Sequence, residues 1–332
     1  MRFGFYIHAQ HPRRTDPQEA LAEHIEQVHT AAQGGFESIF AGQHFLSEPF
    51  WMFQPIPLLS RLAPLASGLE IGTGALLLPL LNPLDIAEQS ATLDVISGGK
   101  SIVGIGYGYR EIEDAAFEAP PRRAAAYVEK ASVLTRLLAG HKVTASGKGY
   151  KLNSAVLTLP PLQQPRPPIW AAAITEMGIR RQAPISDAWL MPPMSDLAEL
   201  KNGLEVDTEA RGGLRANRIP VIREACIAET DQKAIEAARP FLEQKYRVYA
   251  GWGQDEKLAR GWDALATNRF LIGSPETIAN EIENLRDEIG VTDIILRLSW
   301  PGFSHSETMQ SIDLLATKVL PQIATSPANS VN

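Results

Sequence analysis

Arg2-Phe3-Gly4-Phe5-Tyr6-Ile7-His8-Ala9-Gln10-His11-Pro12 opens the chain as an apolar strand running into two histidines and a proline. An open, doubly wound sheet would favour a glycine-rich phosphate loop directly after its first strand. His8-Ala9-Gln10-His11-Pro12 stands in that place, and this turns the reading toward a closed barrel. Further apolar runs of strand character follow at Ser38–Ala41, Glu70–Ala75, Ser101–Ile105, Pro168–Ala172, Asp187–Leu190, Arg218–Ile227 and Asp293–Leu298. They lack strict alternation, as expected of a parallel sheet covered on its outer face.

Segments with one apolar stripe lie between these runs. Leu21, Ile25, Val28 and Ala32 share a helical face, as do Tyr127, Ala131, Leu134 and Leu138, and Ile278, Ile282, Leu285 and Ile289. Helix starts are signalled by Asp16 before Pro17, Asn82 before Pro83 and Ser274 before Pro275. Eight such strand–helix units predict a (β/α)8 TIM barrel with insertions at the strand C-terminal ends. Residues 1–325 are expected to form one domain and 326–332 a flexible tail. The long irregular pieces Gly42–Gln54, Gly140–Pro167 and Trp252–Leu271 are expected to shape a substrate pocket.

Composition narrows the partners. With 31 Lys and Arg against 38 Asp and Glu, the net charge of −7 offers no basic footprint for nucleic acid or an anionic membrane. A small molecule is the expected partner. Cys226, alone in an apolar run, reads as a buried core thiol. No signal peptide precedes the first strand and no apolar stretch is long enough to span a bilayer, so a cytoplasmic location is expected.

In a barrel the chemistry sits where strands finish. Those ends read His8, Gly42-Gln43-His44, Gly74-Ala75, Gly106-Tyr107-Gly108-Tyr109, Ala173-Ile174-Thr175, Met191-Pro192, Ala228-Glu229 and Ser299-Trp300. No lysine ends a strand, which argues against Schiff-base chemistry. Glu229 is the one carboxylate there, too few for a glycosidase pair. His8 and His11 lack companions for a metal site, so none is expected. The remaining mouth is rich in Gly, Ala and aromatic residues, as befits a site whose chemistry a flat cofactor carries.

Three stretches carry a family resemblance. The first is Ile71-Gly72-Thr73-Gly74-Ala75-Leu76-Leu77-Leu78-Pro79-Leu80-Leu81-Asn82-Pro83, continuing to Ser97-Gly98-Gly99-Lys100. The second is Val103-Gly104-Ile105-Gly106-Tyr107-Gly108-Tyr109-Arg110-Glu111, then Arg122-Arg123 and Glu129. The third is Phe270-Leu271-Ile272-Gly273-Ser274-Pro275-Glu276, then Gly290-Val291-Thr292-Asp293. In this order and spacing they resemble the bacterial-luciferase-like flavin monooxygenases.

The resemblance implies an oxidoreductase that uses reduced FMN and O2 to oxygenate a small organic substrate through a C4a-hydroperoxyflavin. It also implies a separate flavin reductase and a homodimer. Two alternatives stay open: hydride transfer with a deazaflavin, or a flavin-binding barrel subunit without catalysis. The family carries a cis peptide beneath the flavin at the place of Gly74-Ala75. Gly106, Tyr107 and Gly108 are expected along the cofactor, the two glycines letting backbone approach closely. Ala173, Ile174, Thr175 and Met177 open a helix whose start suits a phosphate, with Glu176 an awkward neighbour. Arg123, or Arg122, would supply countercharge. The family's Glu-His-His-Phe reads Gly42-Gln43-His44-Phe45 here, leaving His44 as the catalytic residue and its acidic neighbour missing. Tyr6, His8, Trp51, Phe53, Trp189 and Trp300 are expected at or near the mouth, while His24 and His29 read as structural or solvated and Asp94 with Lys100 as a surface element.

Overall fold

A computed structural model describes residues 1–119 and 123–325. Arg122 and the tail 326–332 therefore lie outside the described residues. The path of the main sheet runs through nine parallel strands: β1 (Arg2–Ile7), β2 (Ser38–Ala41), β3 (Glu70–Thr73), β4 (Ser101–Gly106), β5 (Ile169–Ala172), β6 (Ala188–Leu190), β7 (Pro220–Ile227), β8 (Leu271–Gly273) and β9 (Asp293–Arg297), and a tenth, two-residue strand, Leu76–Leu77, pairs with the end of β4. Their spatial order is β6-β5-β4-β3-β2-β1-β9-β7-β8. The sheet curls until its two sides meet. Met191, just past β6, donates its N–H to Pro220 O at 3.0 Å and accepts from Ile222 N–H at 3.1 Å.

All eight expected strands are present within two residues of their predicted ends, because each is apolar enough to be buried between the sheet interior and the outer helices. Tyr6, Phe40, Ile102, Trp170, Leu190, Ile222 and Ile295 fill the inside of the curl. Helices cover the outside. Asp16 caps Pro17–Gln33, Asn82 caps Pro83–Ile96 and Ser274 caps Pro275–Ile289, each through its side chain as the Asp-Pro, Asn-Pro and Ser-Pro pairs predict. At the strand N-terminal end Arg218 bridges Glu70 (2.9 Å) and Asp293 and lies 4.7 Å from the Trp170 ring, sealing that face with ion pairs.

Several expectations change. β8 is a strand beyond the eight expected; it begins at the last residue of the irregular piece Trp252–Leu271 and adds to the C-terminal half of β7 by pairing Leu271–Gly273 with Ala225–Ile227. Gly140–Pro167 contains a hairpin, Val143–Gly147 with Tyr150–Ala155. This insertion joins a helix to the start of β5, so it sits away from the strand C-terminal ends and lines none of the cavity described below. Asp94 is fully buried rather than superficial. It accepts from Ser101 Oγ (2.8 Å), Gln163 N (2.9 Å) and Gln163 Nε2 (2.6 Å), which pins the returning chain against β4. Among the described residues no helix is long and apolar enough to cross a membrane, and no group of His, Cys, Asp and Glu is arranged to hold a metal ion. Cys226 is buried, as expected, and burial pushes its thiol up to about 12.

Candidate functional site

A cavity of about 480 Å³ opens at the strand C-terminal ends, a size suited to a cofactor or drug-sized ligand. Its floor is Tyr6, Gly74, Ala75, Leu190 and Ile222. Tyr6 donates to Gly74 O at 2.7 Å, which fixes the turn above β3. Gly74–Ala75 is a cis peptide, at the place expected of it. The glycines here are sterically required to different degrees. A Cβ on Gly104 would stand 1.8 Å from Thr73 O, so that residue serves strand packing. On Gly106 it would meet the Ala75 and Ala172 methyls at 3.4 and 3.7 Å and Ala172 O at 3.9 Å, all ordinary contacts, and Gly108 has φ +69. These last two line the cavity and leave an open cradle along its wall.

His44 closes one side. Its Nδ1 lies 3.0 Å from Glu113 Oε1. The same oxygen accepts from Phe45 N–H at 2.9 Å, and Arg110 approaches it at 3.3 Å while binding Phe45 O and Leu46 O. Burial would raise the Glu113 carboxyl, but the hydrogen bond and charge of His44, the Phe45 N–H and Arg110 outweigh it and hold it below its usual range. An ionised Glu113 keeps a proton on His44 Nδ1, leaving Nε2 as the acceptor of a ring that lines the cavity. Tyr109, Tyr249 and Trp252 pack edge-on around the imidazole. The carboxylate absent from Gly42-Gln43-His44 is thus supplied by a residue 69 positions away.

The opposite side is the start of the helix Glu176–Gln182. Ala173, Ile174, Thr175 and Gly178 line the cavity; Met177 does not, its side chain being 60% exposed because Gly178 takes the inward place in that first turn. Thr175 caps the helix by accepting from Gly178 N at 3.2 Å. Glu176 turns away and accepts from Asn202 Nδ2 at 3.0 Å, so its charge does not face the cavity. Arg123 lines the cavity and is ion-paired with Asp114. Arg181, unnoticed in the sequence, also lines it and has no ion-pair partner among the described residues. Tyr107 stacks on Tyr127 with centroids 3.9 Å apart and reaches Gly178 O at 3.3 Å. Burial pushes its hydroxyl up to about 12.

Between these sides a buried charge cluster underlies the mouth. Glu224 of β7 accepts from Lys245 Nζ (2.5 Å), Tyr246 OH (2.9 Å), Arg297 Nη1 (2.8 Å) and Trp300 Nε1 (2.5 Å). Glu229, the carboxylate expected at a strand end, is exposed and paired with Lys233 instead; the strand turns outward after Ile227. Trp189 donates to Ala173 O and is buried. Trp51 stacks on His11, and His11 contacts buried His24 at 3.0 Å. Burial lowers both imidazoles, to about 3 and about 4, so this pair is neutral packing.

The comparisons with known proteins agree with this architecture. A family model described as luciferase-like monooxygenase matches residues 1–293. The chain therefore belongs to the luciferase-like monooxygenase family, whose members define it as a flavin-type oxidoreductase. Among its relatives is the oxygenase component of a flavin-dependent trigonelline monooxygenase from Acinetobacter baylyi, 24% identical, with 77% of this chain and 73% of that one covered. Two solved structures share the fold. One is the oxygenating constituent of 3,6-diketocamphane monooxygenase from Pseudomonas putida in complex with FMN, with TM-score 0.78, 19% identity, and 97% and 99% covered. The other is the coenzyme F420-dependent tetrahydromethanopterin reductase from Methanopyrus kandleri, with TM-score 0.75, 21% identity, and 97% and 99% covered.

Proposed function

We propose that this protein is an FMN-dependent monooxygenase built on a (β/α)8 barrel, taking reduced FMN from a separate reductase and oxygenating a small organic substrate. The observation that carries the reading is the His44–Glu113 pair on the wall of a cavity whose floor is Gly74–Ala75. When bound, reduced FMN supplies the electrons and the activation of O2. The residues present fit that group. Gly106 and Gly108 leave room that a Cβ would narrow. Ala173, Ile174, Thr175 and the backbone opening Glu176–Gln182 suit the phosphate, with Arg181 and Arg123 at hand as countercharge.

The chain's own contribution is proton management and exclusion of water. His44, held as the Nδ1–H tautomer by Glu113, accepts or returns a proton at Nε2. Tyr109, Tyr249 and Trp252 surround that ring with apolar surface and keep bulk solvent from it.

A deazaflavin is the competing cofactor, favoured by the likeness to the coenzyme F420-dependent reductase. Anaerobic titration with photoreduced FMN, followed by mixing with oxygen while absorbance is recorded, separates the two. Binding with rapid oxygen consumption supports the FMN reading. Binding of coenzyme F420 with no affinity for FMN overturns it.

A further inference from the structure

Beneath the mouth one buried carboxylate meets two buried basic side chains. Glu224 is 0% exposed and faces Lys245 and Arg297; burial and the Arg297 charge lower the Lys245 ammonium to about 7, so a second anion beside it is needed to hold its proton. Buried charge of one sign is costly unless something compensates it. Tyr6, Tyr246 and Tyr249 are the remaining titratable groups around the cluster with His8, and burial pushes all three phenols up, so none of them supplies a negative charge. Burial and the charges of Lys245 and Arg297 hold His8 well below its usual range, so it adds no positive one.

A second observation lies in the same place. Gln10 Nε2, Arg297 Nε and His8 Nε2 are buried and have no hydrogen-bond partner among the described residues. The three residues are 2%, 8% and 5% exposed, and all line the cavity. The first two atoms are donors by their chemistry, and the third donates in one tautomer. Gln10 is oriented by Tyr249, which donates to its Oε1 at 2.7 Å, so its amide nitrogen is the free end. Arg297 is held over the Tyr6 ring at 4.1 Å. Unmet donors beside a guanidinium and an amine form a complement to an anion, and a buried donor left unmet is expensive.

The location separates this group from the phosphate end. His8 and Gln10 follow β1, Arg297 ends β9 and Glu224 lies in β7, whereas Ala173–Thr175 follow β5 on the far side of the sheet's circuit. A phosphate resting at β5 does not meet the donors near β1 and β9.

We propose that Gln10, His8 and Arg297, with Lys245 behind them, form a subsite for the carboxylate of the organic substrate. This rests on the oxygenase reading above, since it names the substrate class of that site. The bound carboxylate would hold the proton on Lys245 and accept from the free nitrogens, fixing the rest of the substrate beside His44, whose ring packs on the same Tyr249 that orients Gln10.

The test is calorimetric titration of the protein, with and without saturating FMN, using benzoate and its neutral isostere benzamide at fixed ionic strength. Benzoate is expected to bind at least about 10-fold more tightly than benzamide, in both states, as for one charge-assisted contact. Gln10→Glu, which keeps the side chain's shape and adds a repelling charge, should abolish that preference while thermal unfolding and FMN binding stay intact. Lys245→Met should reduce it by removing the amine that answers the anion. Equal affinity for benzoate and benzamide overturns the proposal. So does competition between FMN and benzoate, which would assign the donors to the cofactor, or an unchanged preference in a folded Gln10→Glu protein. If FMN fails to bind while the benzoate preference holds, the cofactor reading falls and the carboxylate subsite stands.

Discussion

Glu113 Oε1 lies 3.0 Å from His44 Nδ1, and the same carboxylate oxygen receives the Phe45 N–H. One anion therefore sets both the tautomer of the imidazole and the path of the loop that carries it.

Replacing His44 with Ala removes the proton acceptor and should lower kcat by about 10²–10⁴. Glu113→Gln keeps the shape but loses the charge that holds the Nδ1–H tautomer, and should lower kcat about 10-fold or more with a displaced pH profile. FMN affinity should be unchanged in both. Steady-state oxygen uptake across pH and flavin titration check this; wild-type turnover in His44→Ala would remove the imidazole from the chemistry.

Two glycines of one strand should respond differently to the same substitution. Gly104→Ala forces a methyl against Thr73 O and should cost about 3 kcal/mol or more in urea unfolding. Gly106→Ala meets its neighbours at ordinary contact distance, so stability should change by less than about 1 kcal/mol while FMN binding weakens. Equal losses of stability would mean that the cavity-side glycine is also a packing residue.

Arg181 should matter to the phosphate and not to the ring. Arg181→Ala is expected to weaken FMN binding by roughly 10-fold, in line with one charge-assisted hydrogen bond, and to leave riboflavin affinity unchanged. Arg123→Ala should have a smaller effect, because that guanidinium is already engaged by Asp114. Comparative titration with FMN and riboflavin reads the difference directly.

Acid should unfold the protein partly through Glu224. Burial would raise this carboxyl, but Arg297 and Lys245 outweigh it and hold it at about 2, below its unfolded value of 4.5. Between those two values the unfolded chain binds the extra proton, so stability falls as pH falls through that window. Glu224→Gln leaves the buried Arg297 guanidinium without its anion and should cost about 3–5 kcal/mol at neutral pH. Lys245→Met should cost less, since Arg297 still answers Glu224. Urea denaturation at neutral and acid pH measures both.

The sheet was legible because each strand is a short apolar run, and the helix starts because Asp16, Asn82 and Ser274 each precede a proline. The site was only half legible. Glu113 sits in Glu111-Ile112-Glu113-Asp114, which looks like a solvated acidic turn; its partner His44 is far away in the chain, and no local pattern connects them. Lys245, Tyr246 and Tyr249 lie in a helix of mixed polarity, Asp231–Gly251, where buried and solvated charges look alike. A usable signal did exist in β7: Arg223-Glu224 interrupts an otherwise apolar run, and charges there must be paired inside the protein. Gly140–Pro167 was misplaced because length alone does not tell which end of a strand an insertion adjoins.

Lys245, Tyr249 and Trp252 are spaced four and three residues apart, along one stripe of the helix that ends at Trp252. Lys245 meets Glu224, Tyr249 meets Gln10, and Trp252 stacks on Tyr249 while touching His44 and Arg110. The helix thus acts as a strut joining the two flanks of the cavity. Any shift that loosens it at one flank is transmitted as a tilt to the other, so grip on a ligand and alignment of the imidazole are geared together.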